Sequence, residues 1–257
     1  MMLANLETAS LNVENKTRAN LFNWRGQFTP QFIGYLLETY TVPGQMVLDP
    51  FCGSGTVLQE AVLHQLKAIG LEINPAAYAM AKFFSLSGLT KKAREIIITN
   101  AQQKIQSIIA QSSNNLSLFC ESTNYRESAV NILDLGKRLL DKVENQQTKL
   151  LLLLTLFQAE SSKNGDLLKI VNQSFQFLAK QLLLLPFTDR VPIVKLSDAR
   201  NVHLHINQEA HVIITSPPYI NVFNYHQNYR ALLELIGFDI LKVAYSEMGS
   251  NRKHRSN

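Results

Sequence analysis

The stretch Met46-Val47-Leu48-Asp49-Pro50-Phe51-Cys52-Gly53-Ser54-Gly55-Thr56 reads as an apolar strand that runs through a glycine turn into the start of a helix. Met46–Leu48 is a buried-strand signal, delivered by the turn Thr41-Val42-Pro43-Gly44. Gly53-Ser54-Gly55 breaks it. Glycine reaches backbone angles closed to other residues and carries no Cβ to bump a close ligand, so such a turn can bring backbone N–H groups up to a bound molecule. The spacing is G-x-G, without the later glycine of the dinucleotide fingerprint and without the lysine of a phosphate-binding loop.

Working outward, Pro30–Tyr40 carries Phe32, Ile33, Leu36 and Leu37 at helical spacing, and Thr56–Leu66 resumes that period after the turn. Lys67-Ala68-Ile69-Gly70-Leu71 reads as a second strand ending at Glu72, and Asn74-Pro75 as the cap and first residue of a helix reaching about Phe84. This is a βαβ unit of the doubly wound α/β kind, in which an acid at the end of the second strand can accept from ribose hydroxyls. From 89 to 186 the pattern is helical, with polar breaks at Gln111-Ser112-Ser113-Asn114-Asn115 and Ser161-Ser162-Lys163-Asn164-Gly165. That length exceeds an ordinary crossover and predicts a helical insertion. Strand character returns at Pro192–Leu196 and His211–Thr215, and Asn228–Ile236 reads as a helix. The expected organisation is therefore 19–88, an insertion over 89–186, and 187–257.

The second strand-end string is Thr215-Ser216-Pro217-Pro218-Tyr219, directly after Val212-Ile213-Ile214. It places a small polar side chain, two stiffening prolines and an aromatic ring at the carboxyl end of a strand, where ligands sit in doubly wound sheets. With 46% apolar residues over 257 positions the chain can bury a substantial core, and its net charge of +5 suits a polyanionic partner without requiring one. Cys52 and Cys120 lack metal-ligand spacing and imply no disulfide framework. The leucine runs Leu150–Leu154 and Leu182–Leu185 are far shorter than the roughly 20 apolar residues a membrane helix needs, and read as buried helix faces. No secretion-signal pattern precedes residue 19, so a cytoplasmic location is expected.

The two strings together resemble the S-adenosylmethionine-dependent DNA methyltransferases that modify the exocyclic amino group of cytosine or adenine. The resemblance implies a Rossmann-like class I methyltransferase sheet with a large helical insertion. It implies S-adenosyl-L-methionine as cofactor, double-stranded DNA as partner and a restriction–modification setting. Asp49, Pro50, Phe51, Gly53, Ser54, Gly55 and Thr56 resemble the cofactor loop, Glu72 the ribose-binding acid, and Asp198 the residue near the cofactor's adenine. Arg25-Gly26-Gln27-Phe28-Thr29-Pro30 is similar to a preceding segment near the cofactor's methionine part, which implicates Phe28, Thr29 and Pro30.

The resemblance also implies a catalytic role for Ser216, Pro217, Pro218 and Tyr219. An exocyclic amino group is a poor nucleophile because its lone pair is delocalised into the ring. The Ser216 side chain and the Pro217 carbonyl can accept from its two N–H groups and stabilise the developing charge, while Tyr219 stacks on a base extruded from the duplex. Within the family Ser-Pro-Pro-Tyr is more typical of cytosine N4 enzymes and Asp-Pro-Pro-Tyr of adenine N6 enzymes. Cytosine N4 is therefore expected first, adenine N6 second. A cytosine C5 enzyme is disfavoured because neither cysteine follows a proline, and Cys52 reads as a packing residue. The cofactor loop is also similar to that of transfer-RNA guanine N2 methyltransferases, against which Ser216 argues. Tyr225 and the basic cluster Arg252, Lys253 and Arg255 are candidates for nucleic-acid contact. No metal site is expected. Four strands are legible where the resembling fold has seven, which predicts a gene fragment, a partner polypeptide supplying the remaining strands, or a shortened protein without catalysis.

Overall fold

The computed structural model describes residues 19–118, 131–162, 165–218 and 224–247. Among them the backbone forms four strands: β1 (Met46–Asp49), β2 (Lys67–Glu72), β3 (Ile193–Leu196) and β4 (Val212–Ile213). They make one parallel sheet in the order β3-β2-β1-β4, with Leu48 opposite both Ile69 and Ile213 and Glu72 opposite Leu196. All four residues of β1 are buried, as expected of a central parallel strand covered on both faces. The strand period of two divides the core accordingly. Val47 and Ala68 pack with Ile33 and Leu37 of α1 (Pro30–Tyr40) and with Val57, Leu58 and Ala61 of α2 (Thr56–Leu63). Met46, Leu48, Ile69 and Leu71 form the other face, under Val202, Ile206 and Ala210.

This order is that of a doubly wound, Rossmann-like α/β fold, and its direction reverses at β1. From β1 the chain builds outward through β2 to β3, then returns to place β4 on the opposite side of β1. The crevice beyond the carboxyl ends of β1 and β4 is the ligand position of such sheets. Gly70, inside β2, makes room for the turn that follows β1: a Cβ there would stand 2.9 Å from the Cβ and Sγ of Cys52 and from Leu58.

The chain divides into two compact units, one of them Leu89–Leu184 with Glu234–Gly237. This second unit contains α4 (Lys91–Leu118), α5 (Ile132–Leu140), α6 (Gln146–Glu160) and α7 (Leu167–Leu184). The α3 helix (Pro75–Lys82) and a 3-10 segment, Phe83–Gly88, precede it. Within the helical unit α6 packs against α4, α5 and α7, and Leu151–Leu154, Leu156 and Phe157 are all buried. Its two ends are tied, since the Arg94 guanidinium donates to the Leu182 carbonyl at 3.2 Å. In the sheet unit the flanking segments are tied as well. The Ser85 hydroxyl donates to the Pro192 carbonyl at 2.8 Å, and the Thr188 N–H to the Ser87 carbonyl at 3.2 Å.

Four local expectations are revised. The polar run Gln111–Asn115 does not break the helix, which continues to Leu118. Serine and asparagine cost only fractions of a kcal/mol each in a helix, about 0.7 at most, and such a cost is easily overridden. The run Leu182–Leu185 is not one buried face, because Leu183 and Leu184 are exposed while Leu182 is buried: consecutive helical residues cannot share one side. The helix after the glycine turn ends at Leu63 rather than Leu66. Gln65 adopts φ 54°, with Leu66 N–H bonded to Ala61 O and Gln65 N–H to Val62 O, the Schellman closure. Finally, the ladder of β4 shrinks to Val212–Ile213, with Ile214 N–H donating to Leu48 O just beyond it.

Candidate functional site

The carboxyl ends of β1, β2 and β4 open into one cleft. Its floor is the turn after β1, contributing Asp49, Phe51, Gly53, Ser54 and Thr56; Glu72 and Ile73 come from β2 and Ser216 from beyond β4. The remaining wall is Trp24–Phe28 from the amino-terminal segment, with Tyr225 and Glu247 from the carboxyl-terminal one.

The turn is laced in place from both sides. The Ser54 hydroxyl donates to Gln27 Oε1 at 2.6 Å, and the Asn20 amide donates to Thr56 Oγ1 and to the Phe28 carbonyl, both at 2.9 Å. Glu72 is held by backbone: Oε2 accepts from Gly53 N–H and Oε1 from Asn74 N–H, each at 2.8 Å. A carboxylate offers about four acceptor sites, so two such bonds leave capacity for ligand hydroxyls. Asp49 Oδ1 accepts from the Thr215 hydroxyl at 2.7 Å and from Phe51 N–H at 3.2 Å.

Burial pushes both carboxyls up to about 7: for Asp49 against the opposing Thr215 and Phe51 hydrogen bonds, and for Glu72 against those of Asn74 and Gly53, with Glu247 and Asp49 nearby raising it further. Burial, then the same two acids, pushes the Cys52 thiol well up, so Cys52 packs rather than attacks. The sign of the pH dependence follows. In the unfolded chain these carboxyls ionise near about 4, so from there to about 7 the folded chain holds protons the unfolded chain has shed. The empty protein is expected to lose stability as pH rises through that window and to level off above it. Melting temperatures across the window test this, and Glu72→Gln should lessen the slope; a flat wild-type profile would contradict the burial assignment.

Asn74 links the two halves of the sheet unit. Its side-chain oxygen accepts from Ala76 N–H as the cap of α3, and its amide donates to the Tyr225 carbonyl at 3.1 Å and to Glu247 Oε1 at 3.2 Å. Glu247 Oε2 faces His226 Nδ1 at 3.0 Å and accepts from His226 N–H at 3.3 Å. Trp24 and Tyr225 stack, with ring centroids 5.6 Å apart and 22° between planes.

The residues singled out from sequence divide accordingly. Phe28, Asp49, Phe51, Gly53, Ser54, Thr56, Glu72 and Ser216 line one cleft. Thr29 and Pro30 do not line it; they are the cap and first residue of α1. Nor does Gly55, whose missing Cβ makes room for protein rather than ligand: it would stand 2.9 Å from Ala81 Cα and 3.0 Å from Phe84. Pro50 and Asp198 line a smaller neighbouring cleft of about 280 Å³ that shares Phe51, Glu72 and Ile73 with the first. The Asp198 carboxylate there accepts from Arg200 N–H at 2.9 Å and from its guanidinium, which turns it away from a free acceptor role. Pro217 is exposed and Pro218 half-buried. Tyr225 lines the first cleft and stacks on Trp24. Tyr219, Arg252, Lys253 and Arg255 lie outside the described residues.

Trp24, His226 and Glu247 carry no motif and were not legible as site residues. Among the described residues no group of three His, Cys, Asp or Glu side chains is placed to hold a metal, and no helix is long and apolar enough to cross a membrane.

Residues 6–83, which include the turn after β1 and Glu72, match a family model described as DNA methylase, the N6/N4 group. Over this segment the chain is similar to the N6/N4 DNA methylases. A relative is the type II methyltransferase M.MjaII of Methanocaldococcus jannaschii, 36% identical over 52 residues, which is 20% of this chain and 10% of that protein. The chain thus matches only about a tenth of its curated relative's length. No solved structure matches. Of the cleft, the matched segment includes Trp24–Phe28, the turn after β1 and Glu72; Ser216, Tyr225 and Glu247 lie beyond it.

Proposed function

We propose that this protein binds S-adenosylmethionine in the cleft and transfers its methyl group to the exocyclic amino nitrogen of a base turned out of double-stranded DNA, cytosine N4 first and adenine N6 second. One observation carries the reading: Ser216 lines the same cleft as the glycine turn and Glu72, although β4 and β2 are far apart in sequence. Bound there, S-adenosylmethionine would supply the methyl group: its S–C bond would break with the electron pair left on sulfur, the amino lone pair would form the N–C bond, and the nitrogen's proton would pass to solvent. Ser216 and the Pro217 carbonyl accept from the amino hydrogens, localising the lone pair as the nitrogen acquires positive charge. Asp49, Phe51, Gly53, Ser54, Thr56 and Glu72 would hold the donor, and Asp198 would border its adenine once displaced from Arg200. Phe28 flanks the methionine end.

A modification role beside a restriction activity suits this chemistry. Among the described residues β4 has no strand on its outer side and Ile213 is 60% exposed, which supports completion of the sheet by further polypeptide. The test is transfer of a labelled methyl group from S-adenosylmethionine to duplex DNA, using the chain alone and with the product of the neighbouring gene, with transfer RNA as a control acceptor. Label in N4-methylcytosine is the expected result. Label in N6-methyladenine would reassign the base, and label in RNA alone, or none under either condition, would overturn the reading.

A further inference from the structure

We propose that Glu247 is a ligand-binding residue of the cleft, a carboxylate prearranged to meet the positive charge of an organic cation. This rests on the methyl-donor reading, since the donor is a sulfonium and carries an ammonium group as well. Glu247 is 5% exposed yet lines the cleft. It is fixed from behind by the Asn74 amide at 3.2 Å and by His226, whose Nδ1 lies at 3.0 Å and whose backbone N–H lies at 3.3 Å. Three such contacts anchor its two oxygens without filling their acceptor capacity. A carboxylate already ordered and desolvated requires no further reorganisation when a cation arrives.

The rest of the wall fits the same ligand class. The ionisable side chains lining the cleft, Cys52 aside, are the acids Asp49, Glu72 and Glu247 and a single guanidinium, Arg25. Beside them Trp24 stacks on Tyr225 and lies against the turn, its ring 3.4 Å from where a Cβ on Gly53 would stand. Indole combined with carboxylate is the chemistry that recognises onium ions. A phosphate-bearing nucleotide, the usual occupant of a strand, glycine turn and helix, would face three acids and one guanidinium here. The fold is that of a nucleotide site, whereas the lining is that of a cation site.

The test titrates the full chain calorimetrically with S-adenosylmethionine, S-adenosylhomocysteine and the uncharged 5′-methylthioadenosine. Trp24, the only tryptophan, gives an independent emission signal from the cleft. In Glu247→Gln, S-adenosylmethionine is expected to bind about tenfold more weakly, the order of one desolvated charge contact, while methylthioadenosine stays within about twofold. A parallel fall in S-adenosylhomocysteine would assign the contact to the ammonium group, and an unchanged value would assign it to the sulfonium. Equal weakening of charged and uncharged ligands, or no weakening at all, would overturn the proposal and leave the donor reading intact. If the parent chain binds none of the three, the donor reading falls and takes this inference with it.

Discussion

Replacing Ser216 with alanine is expected to lower methyl transfer by at least about 10²-fold, the scale of losing one preorganised group that acts on developing charge, with donor affinity unchanged. Ser216 reaches the cleft from the end of β4, whereas the groups assigned to the donor come from β1, β2, the segment after β3 and the two terminal segments. Substitution at one should therefore spare the other. Thr215 takes no part in this expectation, because its hydroxyl is committed to Asp49 at 2.7 Å, and Ser216→Thr keeps an acceptor oxygen in the same position. Single-turnover transfer measured beside calorimetric donor binding separates the outcomes. Full activity in Ser216→Ala would refute the assigned role, while joint loss of binding and activity would reduce it to a structural one.

The second large effect is on stability. Gly55→Ala is expected to cost about 3 kcal/mol or more, and to lower the melting temperature by roughly 10 °C in a chain of this size. Two terms add. Gly55 has φ 92°, where a side chain costs about 1–2 kcal/mol. A Cβ there would also stand 2.9 Å from Ala81 Cα, and backbone cannot give way as a flexible side chain does; overpacking of this kind costs about 1–3 kcal/mol. Gly237 supplies the control, with φ 94° and no atom within 4 Å of its virtual Cβ. Gly237→Ala should show the backbone term alone, and thermal melts of the two variants measure the difference. Equal effects would mean that α3 yields to the added methyl.

Much of the sheet unit was legible because its signals are local. An apolar triplet, a glycine turn, a helical period and an Asn-Pro cap each act over a few residues, and together they place Asp49, Glu72 and Ser216 at strand ends. The wall opposite them was not. Glu247 reaches Asn74 across 173 positions and Tyr225 reaches it across 151, and no local pattern foretells such pairs. Sequence also misassigned a cause: Gly55 looked like a concession to a ligand, whereas its space is taken by α3. At Asp198 the strand end was read correctly but the partner two residues on was not. Arg200 needs no fold to find it, only the turn that Asp198 itself caps.

The ties at the two ends of the helical unit bear on how the chain finds its fold. Pairing β2 with β3 requires closing a loop of about 120 residues, an entropic cost that grows with the logarithm of loop length, and such distant pairings slow folding. Once the helical unit has condensed, with Arg94 held to Leu182, the stretches left to close are 72–94 and 182–193, about a quarter of that loop. Ser85 and Pro192 then meet across a much shorter span. The order of events is thereby biased: helices first by local contacts, then β3 onto β2. A segment whose ends meet in this way can be lengthened, shortened or exchanged over generations with little disturbance to the sheet that carries the cleft.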